Sequence, residues 1–231
     1  MTFSAGRQGT EQIYRALRSD ILQAVSPPGA AMSEARMAGQ FGVSRTPVRE
    51  AFKRLVDEGF LVVIPQVGTF VAPIDLAAVY DSQFVRETLE CRMVVLAAER
   101  IDADGKAALD TLVRDQEAAM RADDRAAFFE LDDAFHAELS RMAGYPSVWG
   151  LIESVKAQLD RVRCLSLETP SWSDMIMSEH QEIAACVGRG DAPGAEAAMR
   201  QHLRTVFHAI DKIAQAHVNA FDKGALAQRR G

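Results

Sequence analysis

The stretch LDDAFHAEL, residues 131–139, sets a carboxylate, Asp132, and an imidazole, His136, four residues apart beside an apolar stripe of Leu131, Phe135 and Leu139. On a helix such residues stand about 5–6 Å apart at Cβ, near enough to share one ion. His180 falls in the middle of a second apolar stripe, Ile176, Ile183, Ala184 and Val187. His202 lies beside a third, Met199, Leu203, Val206 and Ile210. The chain has five histidines, and these three sit on inward-facing stripes. An unpartnered buried polar group costs about 1–3 kcal/mol, and an unpaired carboxylate far more. Taken singly, each histidine reads as a hydrogen-bonded core residue; together with Asp132 they read as a ligand set. One carboxylate oxygen and three imidazole nitrogens suit a borderline divalent transition metal, zinc first, with nickel, manganese or iron as other occupants. His208 and His217 read as structural or solvent-facing.

Helices must carry these groups. From Pro73 to about residue 217 no segment has strand periodicity, and helical patterns cover roughly 76–101, 103–122, 125–142, 147–166, 173–188 and 192–217. The breaks DADG, ADD, AGYP, ETPSW and GRGDAPG supply caps and turns, and Asp75 is a candidate N-cap for the first helix. Residues 1–9 and about 219–231 read as loose termini.

Before Pro73 the pattern differs. Ile13, Leu17 and Ile21, with Val25 as a candidate fourth member of the stripe, mark a first helix with Thr10 as candidate cap, and SPPGA ends it. A short second helix follows, capped by Ser33 and stopped at Gly42. The third, VSRTPVREAFKRLVDEG, is read with Thr46 as its cap and Pro47 at its first position, buries Val48, Ala51, Phe52 and Leu55, and ends at Gly59. FLVVI and TFVA then form a β-hairpin around PQVG. Three short helices and a hairpin make a winged helix-turn-helix, whose third helix opens with arginines suited to the major groove. The expected fold is therefore mainly α: a winged head over 1–73, then an all-helical bundle of about six helices over 74–231.

Charge follows the same division. Residues 1–73 hold eight Lys and Arg against six Asp and Glu, whereas 74–231 hold 18 against 26. A slightly basic head on an acidic body fits a small polyanion-binding module. With 48% hydrophobic and 25% charged residues the 231-residue chain has an ordinary soluble composition, and MVVLAA (93–98) is its longest strongly apolar run. The N-terminal MTFSAGRQG lacks the apolar core of a signal peptide. Three cysteines without metal-type spacing fit a reducing cytoplasm.

VSRTPVREAFKRLVDEGFL followed by GTFVA resembles the DNA-binding domain of the GntR family of bacterial transcription regulators, continuously from about Ile13 to Ala72. The resemblance implies that Arg45, Thr46 and Arg49 meet bases and phosphates and that Gly68 sits at the wing tip near the minor groove. Arginine can bond guanine O6 and N7 bidentately. Some members carry another DNA-contacting arginine where this chain has Ala35; Arg36 is adjacent but would point elsewhere, so that contact is not carried over. The second half, with Asp132, His136, a histidine 44 residues on and another 22 later, resembles the FCD-type effector domain of the FadR subfamily, in its shorter VanR-like branch. That resemblance implies metal ligation by Asp132, His136, His180 and His202, with the open metal positions taken by a small carboxylic acid. Arg86, in FVRETLE, resembles a position that clamps such an acid, or else forms an ion pair with a nearby glutamate. The implied protein is a cytoplasmic repressor released by its effector, working as a homodimer on an inverted-repeat operator. Two alternatives stand beside it: a regulator whose metal is purely structural, with no effector, and a metal-dependent hydrolase. The chain has no HExxH or nucleophile motif, so no enzyme is expected.

Overall fold

In the computed structural model, residues 7–166, 170–216 and 221 are described, and the chain divides into two compact units. One holds the residues up to Val79 together with Ala157–Leu165; the other holds Tyr80–Lys156 and Ser166–Lys212.

The first unit is built on three helices, α1 (Arg7–Leu22), α2 (Glu34–Phe41) and α3 (Arg45–Asp57). Ile13, Leu17 and Ile21 of α1 meet Val48, Ala51, Phe52 and Leu55 of α3 in one buried cluster, whereas Val25, read from the sequence as a candidate on the same face, lies beyond the end of α1 and is exposed. Ser33 caps α2 by accepting from the Arg36 N–H, and Gly42 closes it at φ 67°. Two cap assignments made from the sequence are corrected. Helix α1 begins at Arg7, within the stretch read as loose, so Thr10 lies inside it and its hydroxyl donates to Glu50. Helix α3 takes Ser44 as N-cap, leaving Thr46 exposed in the first turn and Pro47 third, where its missing N–H still costs nothing.

Strands β1 (Ala31–Met32), β2 (Leu61–Ile64) and β3 (Gly68–Val71) form an antiparallel sheet in the order β1-β3-β2. The hairpin pairs Leu61 with Val71 and Ile64 with Gly68. The third strand, β1, is absent from the sequence reading because two residues pairing Ala31 with Phe70 and Met32 with Thr69 carry no periodicity of their own.

Helix α8 (Ala157–Ser166) belongs to this unit although it comes late in the chain. Gln158 Nε2 donates to Gly59 O at 2.8 Å, and its Oε1 accepts from Asp75 N at 3.3 Å. Gly59 turns the chain from α3 to β2 at φ 75°, and a Cβ there would stand 3.1 Å from that same amide. Arg161, 2% exposed, donates to Ala72 O at 2.7 Å, and Asp160, fully buried, pairs with Arg18 at 3.2 Å. Burial pulls the Arg161 guanidinium down to about 10, so it stays charged at neutral pH. Removing it leaves the half-buried Ala72 carbonyl without its charged donor. Arg161→Ala is therefore expected to lower stability by about 1.5–3 kcal/mol in thermal or denaturant unfolding; a change within a few tenths would show the bond to be dispensable.

The second unit contains most of α4 (Leu76–Glu99), with α5 (Ala103–Arg121), α6 (Arg125–Met142), α7 (Pro146–Val155), α9 (Pro170–Gly188) and most of α10 (Ala192–Ala216). Aspartates start four of these helices, Asp75 as read from the sequence and the others within the breaks DADG, ADD and GRGDAPG. Asp75 accepts from Ala77 N, Asp102 from Gly105 N, Asp124 from Ala127 N and Asp191 from Gly194 N. Val94, Ala97, Leu109, Phe135, Leu139, Ile183, Val187, Met199 and Leu203 form its main core. The helix expected over 147–166 is broken in two at Lys156. That lysine is 1% exposed, and its Nζ reaches both oxygens of Asp133 at 2.8 and 3.1 Å. A buried ammonium must be paired, and the local turn lets it be so. The three cysteines are free thiols, with Cys91 and Cys186 buried.

The termini beyond the described residues, much of the ETPSW break, and the side chains of His208 and His217 lie outside what the structure describes.

Candidate metal centre and nucleic-acid interface

Three helices bring the second-unit polar groups together. Helix α6 carries Asp132 and His136, α9 carries His180, and α10 carries His202; their exposures are 2, 1, 0 and 8%. One ligand nitrogen from each histidine lies within 4.8 Å of the others. His180 Nε2 stands 3.3 Å from His202 Nε2 and 3.5 Å from Asp132 Oδ1. Two ligands bound to one ion at 2.0–2.1 Å stand roughly 2.9 Å apart at a right angle and about 3.4 Å apart at a tetrahedral one. These two separations from His180 are compatible with ligands on a common ion.

The opposite sides of the rings are also engaged. His136 Nδ1 lies 2.5 Å from Glu90 Oε2, without hydrogen-bond alignment. His180 Nδ1 is 2.6 Å from Gln116 Oε1, and His202 Nδ1 is 3.0 Å from Glu179 Oε2. Glu179 also accepts from the Thr205 hydroxyl at 2.5 Å. Metal-binding histidines characteristically direct the second ring nitrogen at a carboxylate or carbonyl, which fixes ring orientation and raises ligand basicity. Apolar rings wall the cluster: Phe135 stacks on His180 at 4.7 Å between centroids, and Trp149 lies parallel to His136 at 6.0 Å.

Arg86 is 3% exposed on α4. It pairs with Glu90 at 2.5 Å, so the glutamate partner considered from the sequence is present, but buried rather than on the surface. Its Nη2 is 3.4 Å from His136 Nε2, which puts a guanidinium at the edge of the histidine cluster. Burial alone would push the Glu90 carboxyl up, but Arg86 and then His136 hold it well below the usual carboxylate range. Glu90, Gln116 and Glu179 were not singled out from the sequence. Each is one polar residue on a long helix, and no spacing marks it until the fold brings its histidine alongside.

On the first unit, Arg45, Thr46 and Arg49 are all exposed, on the first turns of α3. Arg49 Nε contacts Glu34 Oε2 at 3.2 Å with the arginine side chain 69% exposed. An exposed pair of this kind is worth about 0–1 kcal/mol, so it is easily exchanged for another anion. Gly68 is exposed at the turn of the wing, paired with Ile64, at φ 149°.

The comparisons with known proteins match both units. A model of bacterial regulatory proteins, gntR family, covers residues 9–71, and a model of the FCD domain covers residues 81–205. An HTH-type transcriptional regulator in an unstable DNA locus of Streptomyces ambofaciens is 41% identical over 218 residues, 94% of this chain and 91% of its own. The HTH-type transcriptional repressor RspR of Escherichia coli is 35% identical over 213 residues, 92% of this chain and 93% of its own. The solved structure of Escherichia coli McbR/YncC superposes with a TM-score of 0.73 at 22% identity, over 90% of this chain and 98% of that one, a likeness of fold.

Proposed function

Since the chain belongs to the GntR family of DNA-binding transcriptional regulators and carries an FCD domain, we propose that it is a repressor released from its operator by a small organic acid bound at a divalent metal. Asp132, His136, His180 and His202 hold the metal, with zinc as first occupant and nickel, manganese or iron as others. The observation that carries this reading is the double engagement of the histidines. A nitrogen of each histidine lies within 4.8 Å of the others, with the Asp132 carboxylate against His180 Nε2, while their Nδ1 atoms meet Glu90, Gln116 and Glu179. A metal there supplies a Lewis-acidic position for a carboxylate. Arg86, at the edge of the cluster, clamps that carboxylate by exchanging part of its pairing with Glu90.

The family and these relatives are transcriptional regulators rather than enzymes, so the hydrolase alternative falls away. The name of the repressor RspR supports repression here. Residues 1–73 read the operator and residues 74–231 sense the acid and dimerise, since an inverted repeat presents two half-sites to two heads. The protein works in the cytoplasm, and no helix among the described residues is long and apolar enough to cross a membrane.

Screening small carboxylic acids by thermal shift on metal-loaded protein tests the sensing role. A stabilising acid that also weakens operator binding is expected. Stabilisation by metal with no response to any acid supports the alternative of a purely structural metal.

For the head, Arg45, Thr46 and Arg49 carry DNA contacts on α3, and Gly68 carries one on the wing. Arg49→Ala is expected to cost about 1–3 kcal/mol of operator binding while salt-sensitive binding to scrambled duplex falls less. Mobility shifts with both duplexes read the difference, and equal losses would mean that Arg49 meets phosphate alone.

A further inference from the structure

The outer partners of the three histidines are not alike. His136 and His202 face carboxylates, whereas His180 faces the amide of Gln116. An amide presents both a donor and an acceptor, so its orientation decides which tautomer the imidazole adopts. Here the orientation is held by the backbone. Gln116 is fully buried on α5, and its Nε2 donates to Leu131 O on α6 at 3.1 Å. That bond turns Oε1 toward His180 Nδ1 at 2.6 Å. A carbonyl oxygen only accepts, so in the neutral ring Nδ1 carries the proton and Nε2 keeps its lone pair. The lone pair is then 3.3 Å from His202 Nε2 and 3.5 Å from Asp132 Oδ1. With Gln116 flipped, its carbonyl would face Leu131 O and its NH₂ would face His180 Nδ1. The first contact is repulsive, and the second favours the tautomer that protonates Nε2.

We propose that Gln116 is the positioning residue that presets His180 for metal binding, an inference that rests on the reading of this cluster as a metal centre. Helix α5 supplies no ligand of its own. Its one amide joins α6, at the residue before Asp132, to the His180 ring of α9. The metal thus meets a ring whose lone pair already faces it, and no proton has to change sides before it binds.

Two measurements test this, and the first needs no metal. Long-range proton–nitrogen correlation spectra of the metal-free chain, taken at a pH where the ring is neutral, should show His180 protonated at Nδ1 alone; a neutral ring protonated at Nε2 overturns the proposal whether or not metal binds. The second is competition of Zn²⁺ against a chromophoric chelator for wild type, Gln116→Met and Gln116→Glu, with unfolding of each metal-free form alongside. Gln116→Met keeps the bulk and removes the acceptor, so Zn²⁺ affinity is expected to fall about 10–100-fold. Gln116→Glu keeps the acceptor but cannot donate to Leu131 O, and its affinity should stay within about threefold of wild type or rise. If Gln116→Met binds Zn²⁺ as tightly as wild type, or Gln116→Glu loses as much as Gln116→Met, Gln116 is a brace between α5 and α6 and nothing more. Wild type that takes up no Zn²⁺ would remove the metal reading itself, and the tautomer measurement would still decide what Gln116 does to His180.

Discussion

The His180→Ala chain is expected to emerge from dialysis without metal, where the wild type keeps close to one divalent ion per chain. His180 is fully buried, and its Nε2 faces both His202 and Asp132, so its loss opens the centre of the proposed ligand set. An ion bound only by the folded state stabilises it by about 2.7 kcal/mol at a hundredfold excess over its dissociation constant. In a chain of this size that corresponds to a melting-temperature change of about 5–10 °C. A chelator should therefore lower the melting temperature of the wild type by that order and leave His180→Ala unmoved. The substitution also removes a ring stacked on Phe135, so the metal-free forms must be compared with each other to isolate the metal's share. Metal-free wild type whose melting temperature ignores a chelator would contradict the metal centre.

The second large effect is loss of regulation in His202→Ala. A ligand shifts an equilibrium only by its differential affinity for the two states. The acid must bind the operator-free arrangement more tightly, and linkage requires the operator to weaken acid binding by the same factor, about 5–150-fold for a coupling of about 1–3 kcal/mol. His202 belongs to the unit with the histidine cluster, whereas Arg45, Thr46, Arg49 and Gly68 belong to the other. The mutant should bind operator nearly as the wild type does without acid and fail to release it when acid is added, as read by mobility shift. A mutant still released by the same acid concentration would mean that the signal is read elsewhere.

The sequence shows some of these features far more clearly than others, and the difference is physical. The head is legible because its determinants are contiguous: the stripe Val48, Ala51, Phe52 and Leu55 and the hairpin each announce a period, and all those helical residues are buried. The four inward polar groups are legible because a histidine within an apolar stripe is conspicuous, and all four are buried. Less legible is whatever depends on partners distant in sequence. Strand β1 exists only through its pairing with β3. The break at Lys156 follows from the position of Asp133 on another helix, and the apolar pattern of 147–166 runs straight through it. Glu90, Gln116 and Glu179 look like any solvent-facing polar residue until the histidines are placed beside them. Arg86 falls between these cases: its glutamate partner is one helical turn away and predictable, but its burial is not.

The most direct measurement of the whole account is a calorimetric titration of an acid from the thermal-shift screen into three samples: metal-loaded chain, the same chain bound to operator, and chain stripped by chelator. The account predicts tight binding to the first, binding weaker by about 5–150-fold to the second, and none to the third until metal is restored. Equal affinity for the free and operator-bound chain, or undiminished binding after the metal is removed, would contradict it.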